Sequence, residues 1–327
     1  MHISVKTAIS RRGLVLKEKV QVRKRRSGQF MGALKEHWLI YVFLLPCIIY
    51  FIVFHYMPMY GIQIAFRDYK AVSGISGSEW VGLEHFKTFF SVFYFKRLMT
   101  NTLLLNVYAL IFSFPVPVIL ALMLNRIRSK GLKKFTQTMI YVPYFISMVV
   151  LTGMLYIFLS PVGGIFNTVI TALGRPPVSF MTQAGMFRSI YVISGIWQSA
   201  GWGTILYIAA LTGVDQELYE AAEIDGASIW QKIYYIDLPS LIPIVTMVFI
   251  LDCGRLLNSN TDKALLMQTP GNIPTSDIIG VYVYNVGIGS GQFSYTAAIG
   301  LFTNVINFIL IFIANSISKR AAKTSLF

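Results

Sequence analysis

The sequence predicts an all-α integral membrane protein with six transmembrane helices, on three observations. Charge is scarce: only 13% of the 327 residues are Asp, Glu, Lys or Arg, about half the share usual in soluble domains. Mean hydropathy is +0.61. Four stretches, 38–66, 98–125, 135–174 and 278–318, contain none of those four residue types, and a bilayer span takes about 20 apolar residues. Basic residues gather at the ends of the apolar runs, with ten Lys or Arg in the first 37 residues, five in 126–134 and three after Ser318.

In chain order the spans are expected at 38–57, 98–124, 135–160, 187–211, 240–259 and 295–316. Basic loops stay in the cytosol, which places there the arm 1–37, the 125–134 loop and the tail 319–327. The connections 58–97, 161–186 and 260–294 then lie outside, and 38–318 forms one six-span domain. The first run exceeds a signal-peptide h-region and lacks a small-x-small cleavage site, so it reads as a retained anchor. The stretch 58–69 is apolar with a charged end and suits the interface. The fifth span is the weakest, because only 238–251 is free of charge before Asp252 and Arg255. Gly, Pro and Ser clusters mark turns in the external loops.

The net charge of +14 follows this membrane pattern and does not imply nucleic acid, since no stacking aromatics interleave the basic arm. Arg23, Lys24, Arg25 and Arg26 suit anionic lipid headgroups. Cys47 and Cys253 fall inside apolar runs and imply no disulfide framework. His2, His37, His55 and His85 lack metal-ligand spacing.

The cytosolic segment 213–239 holds six acids against one base, Lys232, opposite to the basic bias around it. It reads as two short helices. Asp215 is placed to N-cap the first, with Glu217 near its positive end, and Gly226 supplies the left-handed residue that ends it. Residues 227–236 make the second helix, and Pro239 is expected to end the unit before the fifth span.

Glu220-Ala221-Ala222, then Gly226, Ile236 and Leu238-Pro239 at fixed spacing, resemble at every signature position the EAA loop of binding-protein-dependent ABC importer permeases. Pro58-Met59-Tyr60-Gly61, Ser294-Tyr295, Ala298 and Gly300-Leu301-Phe302 are similar to the branch that imports polysaccharide-derived oligosaccharides, some of them uronates such as alginate. The resemblance implies a type I importer permease fold in a bacterial inner membrane, with both termini cytosolic and alternating access as the mechanism. It also implies that the EAA loop docks on an ATPase, with Glu220 meeting a basic residue there and Gly226 setting the bend. The chain has no G-x-x-x-x-G-K-[ST] sequence to hold nucleotide phosphates. ATP chemistry must then come from another polypeptide; the resemblance implies two ATPase subunits that carry ATP and Mg, with this chain expected to bind no cofactor and not to be an enzyme. One EAA loop makes half a translocation unit, so a second permease is implied, a heterodimer in preference to a homodimer. An external solute-binding protein would deliver the sugar.

Polar residues within the spans are candidates for the substrate path. Asp252, Arg255 and Ser259 share one face of the expected fifth helix, and a charge there is costly unless it faces protein or water. That face reads either as path or as an Asp252–Arg255 pair against a neighbouring subunit. Trp197, Gln198 and Trp202 combine aromatic faces with an amide, as sugar sites do, or else pack among Ser199, Ala200, Gly201 and Gly203. Asn304 and Asn307 are weighed between path and interhelical hydrogen bonds. Arg255 favours an acidic sugar over a neutral one, since guanidinium binds carboxylate bidentately, whereas Asp252 could neutralise it. The alternatives are an ABC permease for a non-sugar solute and an ion-gradient-driven secondary transporter; the latter would want repeats and intramembrane carboxylates near broken helices.

Overall fold

The computed structural model describes residues 38–321. Expectations for the arm 1–37 and for residues 322–327 of the tail lie outside the described residues. The chain divides into two compact units, Met1–Gln63 and Ile64–Phe327.

In the first unit, helix α1 (Trp38–Phe51) is apolar around its whole circumference, the pattern of a lipid-facing helix. It runs into a π-turn, Ile52–Tyr56, where the Met57 N–H reaches back five residues to the Ile52 carbonyl. Pro58 follows. A proline ring clashes with the carbonyl four residues before it, and the wider turn makes room for it without breaking the helix. A 3-10 stretch, Tyr60–Phe66, comes next.

The second unit begins with a short antiparallel hairpin, β1 (Arg67–Asp68) and β2 (Glu79–Trp80), in which Arg67 faces Trp80. Helix α2 (Glu84–Ser91) leads to α3 (Phe95–Ser113) and α4 (Pro115–Asn125), which together make an apolar run of 31 residues. Ser129 caps α5 (Lys130–Tyr141). Over the third expected span, 135–160, the chain bends by 96° between 130–145 and α6 (Met148–Phe158). Pro143 removes a helix donor, and Ser147 starts a new helix by accepting from the Val150 N–H.

Next come α7 (Ile165–Ala172), α8 (Ala184–Thr212), α9 (Gln216–Ile224) and α10 (Ile229–Lys232). Beyond them lie α11 (Leu238–Cys253), α12 (Thr261–Met267), a single helical turn Ile273–Ser276, α13 (Ile279–Tyr284) and α14 (Phe293–Ala321). Among the described residues four helices are long and apolar enough to cross a membrane, or up to five if the bent pair is one span. The four are Trp38–Phe66, Phe95–Asn125, Ile229–Cys253 and Phe293–Arg320. Helix α8 has the length, at 29 residues, but its Gly, Ser and Gln residues and Arg188 keep it outside that apolar set. It packs instead against α3, α4, α5 and α11. A side chain at Gly201 would strike the Ile140 carbonyl, and Gly203 lies against Pro117. Small residues thus let α8 approach its neighbours closely.

Three apolar clusters hold the unit. Ala121, Leu124, Tyr207, Ile208, Leu211 and Leu241 join α4, α8 and α11 near the 213–239 segment. Leu105, Phe187, Tyr191, Met267, Ile278 and Val281 belong to a second cluster. Phe89, Leu98, Leu257, Tyr295 and Ile299 pack around α14 in the third.

Candidate functional site

Two places bring the chemistry-bearing residues together, the segment 213–239 and a cavity beside α8. In the segment, the Asp215 carboxylate accepts from the Glu217 N–H and caps α9. Gly226 has φ +72°. The Ala227 N–H donates to the Ala222 carbonyl and the Gly226 N–H to that of Glu223, the double bond of a Schellman ending. Ser228 and Gln231 form a reciprocal capping box that starts α10.

Pro239 does not end the unit. Residues 229–253 form one continuous helical run, because the π-turn Ile233–Asp237 lets the Leu238 N–H bond five residues back to Ile233. This is the device seen before Pro58. Of the signature residues, Glu220, Ala221, Gly226 and Pro239 are exposed, whereas Ala222, Ile236 and Leu238 are half-buried. Apolar side chains stand out beside them, with Ile224 87% and Trp230 79% exposed.

Beneath this surface lies a charged cluster. Asp237 is fully buried. It pairs with Arg126, just past α4, and accepts a hydrogen bond of 2.5 Å from the Tyr219 hydroxyl on α9. The Arg126 guanidinium also lies 5.5 Å from the centre of the Tyr219 ring. Burial, reinforced by the Asp237 carboxylate, pushes the Tyr219 hydroxyl up to about 12. Lys232, itself buried, bonds Glu223 at 2.7 Å, and that ammonium holds the Glu223 carboxyl below its usual range. Arg126 and Asp237 are 111 residues apart, and only the acid directly before Leu238-Pro239 and the arginine ending the second span hint at the pairing.

The cavity has a volume of about 820 Å³, and its walls include Asn106, Tyr144, Trp202, Tyr207, Asp252 and Arg255. The Trp202 indole stacks on Tyr144, with ring centres 4.6 Å apart and planes within 5°, and Phe145 meets it edge-on. Helix α11 stops at Cys253, so Arg255 and Ser259 do not continue its face as the spacing predicted. Arg255 lies in the turn beyond it and Ser259 in the irregular stretch that follows. Even so, Asp252 and Arg255 both face the cavity. Among the described residues the ion pairs join Lys70 to Asp68, Arg97 to Asp277, Arg126 to Asp237 and Lys232 to Glu223. Asp252 and Arg255 share a backbone bond, from the Arg255 N–H to the Asp252 carbonyl. Asn106 donates to Ser259 Oγ at 2.8 Å and to the Leu256 carbonyl at 2.9 Å.

The other sequence candidates lie elsewhere. Gln198 donates to the Ile146 carbonyl at 2.8 Å and so ties α8 to the bend before α6. Trp197 and Asn304 are exposed and do not line the cavity. Asn307 is buried and accepts from the Leu257 N–H at 3.0 Å. Asn106 and Tyr144 sit in apolar runs with no local signal and were not anticipated.

Residues 113–323 match the family of binding-protein-dependent transport system inner membrane components. Protein LplB of Bacillus subtilis (strain 168) is 42% identical over 298 residues, covering 91% of this chain and 94% of that one. The polygalacturonan/rhamnogalacturonan transport system permease protein YteP of the same organism is 38% identical over 305 residues, covering 93% and 95%. A chain in the crystal structure of a bacterial alginate ABC transporter, in complex with an alginate pentasaccharide-bound periplasmic protein, superposes with TM-score 0.81. It is 38% identical, and the match covers 90% of this chain and 98% of that one.

Proposed function

The chain belongs to the binding-protein-dependent transport system inner membrane components, and from that premise we propose that it is one permease of an ATP-driven oligosaccharide importer. Six spans make up its half of the translocation path, with α8 and the bent pair α5–α6 counted beside the four apolar helices. The segment 213–239 is the EAA loop. Its exposed Glu220, Ala221 and Gly226, together with Ala222, Ile236, Leu238 and Pro239, form the ATPase dock on the cytosolic side. Both termini share that side, in the inner membrane. ATP and Mg reside on two ATPase subunits, a second permease completes the path, and an external binding protein delivers the sugar.

The observation that carries the reading is the cavity of about 820 Å³, whose walls hold both the stacked Trp202–Tyr144 pair and the charged Asp252 and Arg255. Aromatic faces with a few convergent polar groups suit a sugar ring. An Arg255 guanidinium outside the ion pairs of the described residues suits a uronate carboxylate, so an acidic oligosaccharide is favoured. The polygalacturonan/rhamnogalacturonan permease and the alginate transporter lend support to the same class. Trp197, Gln198, Asn304 and Asn307 are assigned to the scaffold of the path and not to its wall. Asp252 supports a second reading, a neutral sugar, if it offsets the Arg255 charge.

The test is ATP hydrolysis by the assembled importer with its binding protein, comparing a uronate oligosaccharide with a neutral one of equal length. Stronger stimulation by the uronate is expected. Stimulation by the neutral sugar alone would exclude the acidic reading, and stimulation by neither would count against the oligosaccharide reading.

A further inference from the structure

The Arg126–Asp237–Tyr219 cluster lies outside the cavity walls, and its Asp237 is the most completely buried charged side chain of the 213–239 segment. Each member comes from a different element. Tyr219 stands on α9. Asp237 closes the π-turn that leads into α11. Arg126 caps the end of α4. Asp237 has no solvent exposure, so its charge is balanced by these two partners and not by water, and removing either leaves a buried carboxylate short of a partner. The other ties differ. The Glu223–Lys232 bond joins α9 to α10 within the segment itself, and its Glu223 side chain is 61% exposed.

We propose that Asp237 is a positioning residue for coupling, a joint through which Tyr219 and Arg126 tie α9 to the ends of α11 and α4 at once. This rests on the reading of α9 as the ATPase dock. A displacement imposed on α9 is carried by Tyr219 to the joint, and the ion pair passes it to both membrane helices together. The π-turn supports this role. It sits between α10 and α11 and ends on Asp237 itself, and such single π-turns inside helices are frequent at functional sites. Arg126 over the Tyr219 ring adds a cation–π contact, which binds the three side chains as a unit instead of a chain of two.

The joint predicts a separation that simple structural damage does not produce. Losing the Tyr219 hydroxyl leaves α9 on the ATPase but slackens its grip on α11 and α4. The test uses the full importer in proteoliposomes, with its binding protein and a uronate oligosaccharide. Tyr219→Phe is expected to insert, to retain its ATPase subunits on co-purification and to keep the KM for ATP. The ratio of sugar-stimulated to basal hydrolysis should fall about tenfold, the scale of one charge-assisted hydrogen bond. Arg126→Lys, which keeps the charge, should retain more of that ratio than Arg126→Gln. An unchanged ratio in Tyr219→Phe would overturn the proposal. So would loss of the ATPase subunits in that variant, since the cluster would then build the dock and not the joint. Glu220→Lys separates the underlying reading: if it keeps its ATPase subunits, α9 is not the dock, whatever Tyr219→Phe does. Asp237→Asn is the stronger variant, and Tyr219→Phe decides the matter if the former fails to insert.

Discussion

Asp237 and Asp252 stand at opposite ends of the same helix, α11, in opposite surroundings. Asp237 has no exposure and two partners at hand. Asp252 is half-buried and looks into an open cavity beside an arginine with which it forms no ion pair. A carboxylate closed on all sides has nothing left to offer a ligand but holds its neighbours in fixed geometry. One facing an open cavity keeps its bonding capacity for a passing solute. The two ends of α11 are thus suited to different work, coupling at one and selection at the other.

The comparison breaks most visibly in stability. Asp237→Ala leaves Arg126 without its carboxylate, and losing one partner of a buried pair costs about 3–5 kcal/mol. The melting temperature of the detergent-solubilised chain should drop sharply. Asp252→Asn should cost less than about 1 kcal/mol, as substitutions away from packed networks do. Equal losses at the two sites would erase the distinction.

A smaller effect is expected at the turn of the segment. Gly226 has φ +72°, where a side chain costs about 1–2 kcal/mol. Gly226→Ala should therefore lower thermal stability modestly and loosen α9, read as faster amide exchange in 216–226, while leaving exchange around the cavity unchanged.

The smallest effect is a pH dependence. The Lys232 ammonium depresses the Glu223 carboxyl, so this contribution is present above the unfolded carboxylate range. It fades as pH falls through the lowered folded value. Glu223→Gln should be slightly less stable than the parent chain at pH 7 and should converge with it in acid. A gap that widens on acidification would contradict this pairing.

Much of this arrangement is legible from the chain, and the rest is hidden for identifiable reasons. Long charge-free runs announce apolar helices, because charge in lipid is costly at every position along a span. Asp215 and Gly226 announce the limits of α9, because capping is decided within a few residues. The 96° bend is hidden because Pro143 sits in an apolar run whose hydropathy does not change there. The end of α11 at Cys253 is hidden for a similar reason, and it moves Arg255 off the helix face that its spacing implied. Pro239 reads as a stop, yet a π-turn absorbs it. Tyr144 and Asn106 reach the cavity only through the packing of α3 and the bend against α8. Arg126 meets Asp237 across 111 residues, a distance that no local pattern reports.

The most direct test of the division between selection and coupling is one ratio, uronate-stimulated over neutral-sugar-stimulated ATP hydrolysis by the assembled importer. It should be measured for the parent chain, Arg255→Gln and Tyr219→Phe. The account predicts a ratio above one for the parent chain. Arg255→Gln should bring it close to one, and Tyr219→Phe should lower both rates while leaving the ratio where it was. A ratio that responds to Tyr219→Phe and ignores Arg255→Gln would contradict the account.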